Sequence, residues 1–301
     1  MAVTIGAKGA NEADAPRPFS YEQAFSRNTG WVTQAEQQSL RGKKVAIAGL
    51  GGVGGAHLIT LARLGIGSFN IADFDTFDIP NFNRQTGAGM SNLGRSKTDT
   101  LSAMALDVNP ELKLNIFAEG VNSGNLDAFF SGVDLYVDGL DFFAFAPRRM
   151  VFAECAQRRI PAITVAPLGM GAALLNFLPG GMTFEEYFRW DGCSEHQMAL
   201  RFLIGLSPAM LQREYLVDPA TVDLKGRRGP STGMACALCT GIAATEALKI
   251  LLKRGHIAAA PRGLHFDAYR NRLASTWRPW GNRNPLQRLA LAIAQRKLGI
   301  M

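Results

Sequence analysis

The sequence predicts an α/β protein built on a doubly wound, mostly parallel sheet, with a C-terminal antiparallel extension and a long crossover loop. Three observations carry that prediction. Short β-rich apolar runs alternate with helical patterns of ten or more residues between Lys44 and Val165, the signature of βαβ units. The first of these runs ends in a glycine cluster that opens a helix. After Ala166 the alternation stops, and Met182 to Pro230 is aromatic and charged without a clean period.

The elements follow in order. Residues 1–20 mix Gly, Ala, Asn, Asp and Pro without apolar periodicity and read as a flexible leader. Tyr21–Leu40 is polar with scattered apolar residues, which suits one or two short helices. Lys44–Leu50 (KVAIAGL) is the first strand and Val53–Leu64 the first long helix. Ser68–Asp73 and Ser96–Val108 repeat that pair. Leu112–Phe117, Leu135–Val137 and Ala162–Val165 read as further strands, with Pro147–Arg158 a helix before the last. Met170–Leu178 reads as a strand pair or one bent strand, closed by Pro179-Gly180-Gly181. About 182–230 is a crossover or lid with short helices of its own. Ser231–Leu252 is a long apolar helix with Ser231 or Thr232 as N-cap. Leu264–Trp277 is a terminal strand and its return, and residues 281–301 form an amphipathic tail helix.

Composition sets the outer limits. A chain of 301 residues that is 47% hydrophobic buries a substantial core, as one large domain or two small ones. No run of about eighteen uncharged apolar residues appears, so neither a membrane span nor a membrane partner is expected. The N-terminus lacks the pattern of a secretory signal, and four cysteines are too few for a disulfide framework. A reducing cytoplasm is the expected compartment. The net charge of +7 favours anionic ligands such as nucleotides, RNA or acidic protein surfaces, without choosing among them.

Gly49-Leu50-Gly51-Gly52-Val53-Gly54 matches G-x-G-x-x-G between a strand and a helix, the setting in which the motif marks a Rossmann-like phosphate turn. Glycines let backbone approach phosphate, and a helix N-terminus supplies N–H groups and partial positive charge. Asp73 ends the second strand, where a carboxylate accepts hydrogen bonds from ribose. Taken alone, this loop points to NAD as readily as to ATP. The segment after it separates the two. Asp73, Asp75, Asp78, Asn81, Asn83, Arg84 and Gln85 bring amides and a guanidinium beside the glycine turn, and Lys97 opens the next helix. A triphosphate needs such donors, and arginine presents a planar fork to phosphate. Asp141 follows the fourth strand at the carboxyl edge of the sheet, where a carboxylate suits Mg²⁺.

With these residues in view, the chain resembles the ThiF/MoeB/HesA family of adenylyltransferases, bacterial relatives of ubiquitin-activating enzymes. The resemblance runs from Arg27 to Leu273, with the crossover poorly matched. It rests on GLGGVGG at Gly49–Gly55, DFD at Asp73–Asp75, NFNRQ at Asn81–Gln85, GRSK at Gly94–Lys97 and Asp138-Gly139-Leu140-Asp141. It implies one adenylation domain over 21–280 that binds ATP through the glycine loop and the Asp73–Asp75 segment. Asp73 would hold the ribose, Asn81, Arg84 and Lys97 the triphosphate, with Gln85 supporting the loop. Asp141 would coordinate Mg²⁺. Arg27 would match an arginine that reaches the phosphates of a neighbouring subunit, which implies a homodimer. The implied reaction is attack of a substrate carboxylate on the α-phosphorus with release of pyrophosphate.

The sequence departs from the family at three places. Asp141 is followed by Phe142-Phe143 where many members have an asparagine, so the acyl substrate is left open. Cys236-Ala-Leu-Cys239 stands without the second pair that a structural zinc needs, so no zinc is expected. Cys193, beside His196 in the crossover, is a candidate reactive thiol, although its surroundings do not match the family's cysteine segment. The expected substrate is the C-terminus of a ubiquitin-like or sulfur-carrier protein or peptide. The alternatives are a tRNA threonylcarbamoyladenosine dehydratase-like enzyme and a non-catalytic nucleotide-binding subunit. An NAD-dependent oxidoreductase fits the Arg84 and Lys97 loop poorly.

Overall fold

A computed structural model describes residues 18–224 and 226–298. The leader expected over 1–20 lies, up to residue 17, outside the described residues, as do the last three residues of the expected tail. Two short helices, α1 (Tyr21–Ala24) and α2 (Gln34–Arg41), precede the sheet. A capping box between Thr33 and Glu36 starts α2. The first half of the sheet comprises β1 (Lys44–Ala48), α3 (Gly54–Arg63), β2 (Ser68–Ala72), α4 (Lys97–Val108) and β3 (Lys113–Phe117). Then come α5 (Leu126–Phe130), β4 (Leu135–Asp138), α6 (Phe145–Arg158), β5 (Ala162–Leu168) and β6 (Gly171–Phe177). The crossover holds α7 (Phe184–Phe188) and α8 (Glu195–Leu206), and the chain closes with α9 (Gly233–Leu251), β7 (Arg262–Asp267), β8 (Arg272–Trp277) and α10 (Pro285–Leu298).

The sheet has eight strands in the order β3-β2-β1-β4-β5-β6-β7-β8. Pairs among β1 to β5 are parallel, and β6, β7 and β8 each pair antiparallel with their predecessor. Met170–Leu178 is therefore one antiparallel strand, not a strand pair. From β1 the chain builds outward to β3, then returns to lay β4 on the other side of β1. That reversal opens a crevice at the carboxyl ends of β1 and β4, the usual ligand position in such sheets.

Side-chain size divides the two faces of the sheet. Val45 and Ile47 of β1 join Leu58 and Leu61 of α3, Leu101 of α4 and Ala243 of α9 in one cluster. The opposite face carries Ala46, Ala48, Ala72, Ala162 and Ala173. Those small residues make room for a dense aromatic layer: Tyr136, Phe152, Phe177, Phe184, Phe188, Trp190 and Phe202. Truncating one such buried ring costs about 3–5 kcal/mol. By length and composition α9 is apolar enough to cross a membrane. Its Ala235, Cys239, Ala243 and Ala247, spaced one turn apart, are buried, and the helix packs on β5, β6 and α3. That buried stripe belongs to the core.

Candidate nucleotide-binding site

The glycines after β1 fall into two groups. A β-carbon on Gly54 would lie 1.8 Å from the Gly49 carbonyl oxygen, one on Gly49 2.3 Å from the Gly139 oxygen, and one on Gly139 2.2 Å from the Gly49 oxygen. These three are fixed by backbone-on-backbone contact between the loop after β1 and the turn after β4, and Gly49 also has a positive φ of 81°. Gly51 and Gly52 have room. Their nearest neighbours are Gln85 Nε2 at 3.7 Å from one, and Cys236 Sγ at 3.4 Å and Arg84 Nε at 3.7 Å from the other, measured to a would-be β-carbon. They form the open cradle.

Beside the cradle, α3 begins at Gly54 with no side-chain cap. Its first-turn N–H groups and the positive end of its dipole face the crevice, the arrangement that binds anions. Asp73 is buried, accepting from Leu50 N–H at 2.5 Å and from Asp75 N–H at 2.8 Å. It pins the glycine loop to the end of β2. Each oxygen keeps a second lone pair for a ribose hydroxyl.

The loop after β2 is stitched to the start of α4. Lys97 Nζ lies 2.9 Å from Asp75 Oδ2, and the lysine side chain is only 5% exposed against 53% for the aspartate. The structure thus spends Asp75 on Lys97 and leaves the cation held beside the loop. Asn81 uses its Oδ1 to cap the short turn at Ile79–Asn81, accepting from Asp78 N–H at 2.9 Å. Arg84 donates to Pro80 O and Asn83 Oδ1, each at 2.9 Å, which holds the guanidinium near Gly52. Gln85 is buried against Gly51, with its Oε1 unpaired. Asn83 Nδ2 donates to Ser231 O at 2.9 Å and so ties this loop to the start of α9, where Thr232 is the N-cap.

Asp141 is exposed at the end of β4, and its Oδ1 accepts from Phe143 N–H at 2.9 Å. Phe142 and Phe143 turn away from the crevice into the aromatic layer, Phe142 packing 5.2 Å from Phe202 of α8 and Phe143 6.1 Å from Phe145. Among the described residues no three His, Cys, Asp or Glu side chains gather as a metal cage. Mg²⁺ in phosphate sites needs only one or two carboxylates beside water and phosphate oxygens, and a single open Asp141 suits that mode.

Two candidates lie elsewhere. Arg27 is exposed, and its neighbour Asn28 bonds Leu64 O just past the far end of α3, a ten-residue helix that is about 15 Å long. Cys193 precedes α8, where its thiol donates to Arg189 O at 3.4 Å. Phe202, the α8 residue that meets the Asp141 loop, sits about 10 Å further along the helix. Cys236 and Cys239 are both buried in α9, and Cys155 is buried in α6. Burial raises all three thiols.

Sequence reasoning missed two residues of this region. Cys236 lines the cradle only because α9, some 180 residues downstream of Gly52, starts against it. Arg148 of α6 is nearly fully buried beneath the Asp141 loop. A single cysteine or arginine inside a helical pattern gives no signal of either placement.

An uncapped helix after a glycine turn, at the reversal of a doubly wound sheet and beside the acid ending β2, defines a nucleotide-binding α/β protein. The ThiF family profile matches residues 25–289, and the chain belongs to that family. Among its relatives, tRNA threonylcarbamoyladenosine dehydratase of Bacillus subtilis (strain 168) is 35% identical over 150 residues, covering 50% of this chain and 57% of that protein. Molybdopterin-synthase adenylyltransferase of Escherichia coli (strain K12) is 28% identical over 141 residues, covering 47% and 56%. The chain thus spans a little over half the length of these curated relatives. The crystal structure of E. coli MccB with ATP shares the fold, with a TM-score of 0.61 and 19% identity over 86% of this chain and 73% of that one.

Proposed function

We propose that this chain binds Mg²⁺–ATP in the crevice and activates a carboxylate as an acyl-adenylate. The observation that carries the reading is the uncapped start of α3 beside the open glycines Gly51 and Gly52, with the Arg84 side chain against Gly52. To the same site we assign Lys97, paired with Asp75 at the start of α4, and the exposed Asp141 after β4. An oxygen of the substrate carboxylate attacks the α-phosphorus, and the bond to the bridging oxygen of pyrophosphate breaks. Arg84 and Lys97 offset charge developing on the phosphates, and the N–H groups of α3 fix their position. Asp73 orients the ribose. Asp141 would hold Mg²⁺, which when bound would supply charge neutralisation on the phosphates. The substrate we favour is the C-terminus of a ubiquitin-like or sulfur-carrier protein or peptide, and Arg27 acts from the partner of a homodimer.

ATP–pyrophosphate exchange tests this. Exchange should need Mg²⁺ and fall by about 10²-fold or more in Asp141→Ala and in Arg84→Ala, the scale on which single electrostatic contributors act. Tight NAD binding with no ATP binding would overturn the assignment.

A second reading has its own support. Residues 262–298 carry eight Arg or Lys side chains and one carboxylate, Asp267, in a chain whose net charge is +7. Exposed Tyr269, Trp277 and Trp280 lie among those cations. Basic side chains with exposed rings suit RNA, and a relative above acts on tRNA. Offering a carrier peptide and tRNA separately, and recording which stimulates pyrophosphate release, decides between the two.

A further inference from the structure

Arg148 has no place in the reaction as described, yet it is among the most completely buried side chains in the molecule. Its Nε donates to Asp138 Oδ2 at 3.0 Å. Asp138 also accepts from Thr164 Oγ1 at 2.9 Å, Tyr136 OH at 3.2 Å and Leu140 N–H at 3.3 Å, so four donors hold its charge. The two remaining arms of the guanidinium reach the backbone. Nη2 donates to Leu140 O at 2.7 Å and Nη1 to Phe142 O at 3.2 Å, the carbonyls on either side of Asp141. The face of the guanidinium lies 4.7 Å over the ring of Phe202, which itself packs against Phe142.

We propose that Arg148 is the positioning residue for Asp141, and that through Phe202 it couples the Asp141 loop to the crossover. The geometry suits arginine alone. Three acceptors lie around one plane, and a planar fork meets all three, whereas an ammonium on a flexible stem does not. With the carbonyls before and after it held, Asp141 has little backbone freedom, and its exposed carboxylate is fixed in place, with Oδ1 accepting from Phe143 N–H. α8 enters the same assembly through Phe202, so a shift of the crossover on substrate docking moves the ring against both the guanidinium and Phe142. The inference rests on the metal role proposed for Asp141.

The test compares Arg148→Lys, Phe202→Leu and Asp141→Ala with the parent chain. Amide hydrogen exchange across residues 139–145 is followed in ligand-free protein, Mg²⁺ dependence in pyrophosphate exchange, and ATP binding in EDTA. Arg148→Lys should speed exchange in that segment and raise the Mg²⁺ needed for half-maximal rate by about tenfold, the usual scale for partners that orient a metal ligand. ATP binding in EDTA should hold within about twofold of the parent, because the glycine cradle is untouched. Phe202→Leu, which keeps the ion pair, should give a smaller shift of the same sign. Parent-like segment exchange and Mg²⁺ dependence in a folded Arg148→Lys protein would overturn the proposal, as would an equal loss of metal-free ATP binding. Should Arg148→Lys not fold, Phe202→Leu decides, and unchanged exchange over 139–145 overturns it. If Asp141→Ala leaves Mg²⁺ dependence unaltered, the metal role itself fails, while the segment exchange still judges Arg148.

Discussion

His57 sits in the first half of α3 with both ring nitrogens buried and unpartnered, and burial lowers its pKa from 6.5 to about 3. A base whose folded pKa is depressed is neutral in the native state and takes up a proton on unfolding. Its contribution is therefore in place above pH 6.5 and is lost as pH falls toward 3. Between neutrality and pH 4.5 that loss is about 2–3 kcal/mol. Urea unfolding at pH 7.5 and 4.5 should show it, and His57→Leu should remove that part of the slope. An identical pH dependence in the variant would refute the assignment. At this scale the sequence was legible where chemistry follows backbone order. Asp73 ends a strand, Asp141 follows one, and Lys97 opens a helix, so each could be placed from pattern alone. Arg148 and Cys236 reach their positions through tertiary contact, which leaves no local trace. Asp75 was legible as part of the loop, but its pairing with Lys97 was not.

The alternating strands and helices from β1 to β5 were readable because the central strands, buried on both faces, give short continuous apolar runs, while the helices between them are longer and amphipathic. The crossover was not, and α8 shows why. Its Ala199, Phe202 and Leu206 pack into the aromatic layer while Leu200 and Ile204 pack with Leu291 of α10. A helix buried on two sides shows no single apolar stripe. Beyond α8 a phenol fastens the crossover, next to the ion pair between Arg270 and Glu214. Tyr215 OH donates to Asp267 Oδ2 at 2.6 Å and accepts from Met170 N–H at 2.8 Å, joining the crossover to β7 and to the start of β6. Burial, with the nearby Asp267 carboxylate, pushes this phenol up to about 12, so it remains a donor throughout the neutral range. Tyr215→Phe leaves Asp267 and Met170 short of a partner, at a cost of about 1–3 kcal/mol. Limited proteolysis should then cut faster within 208–230, and an unchanged rate would show that the fastening lies elsewhere.

Across the whole molecule, Arg27 gives the proposed homodimer a direct test. Its neighbour Asn28 is bonded at the opposite end of α3 from the cradle, and under the proposal Arg27 acts on the nucleotide of a second copy. Arg27→Ala and Asp141→Ala should each be inactive alone. Co-expressed, they should regain about a quarter of parental exchange, because half of the dimers are mixed and each mixed dimer has one intact composite site. No recovery from two folded variants would remove Arg27 from the site. The contact among Gly49, Gly54 and Gly139 bears on the same scale. Backbone packed directly on backbone at these glycines acts as a fixed gauge between the two halves of the sheet, one that no exchangeable side chain sets. Divergence toward a new acyl partner therefore has no purchase on the width of the nucleotide slot. It is left to segments outside the slot, above all the crossover, whose Phe202 meets the Asp141 loop at Phe142.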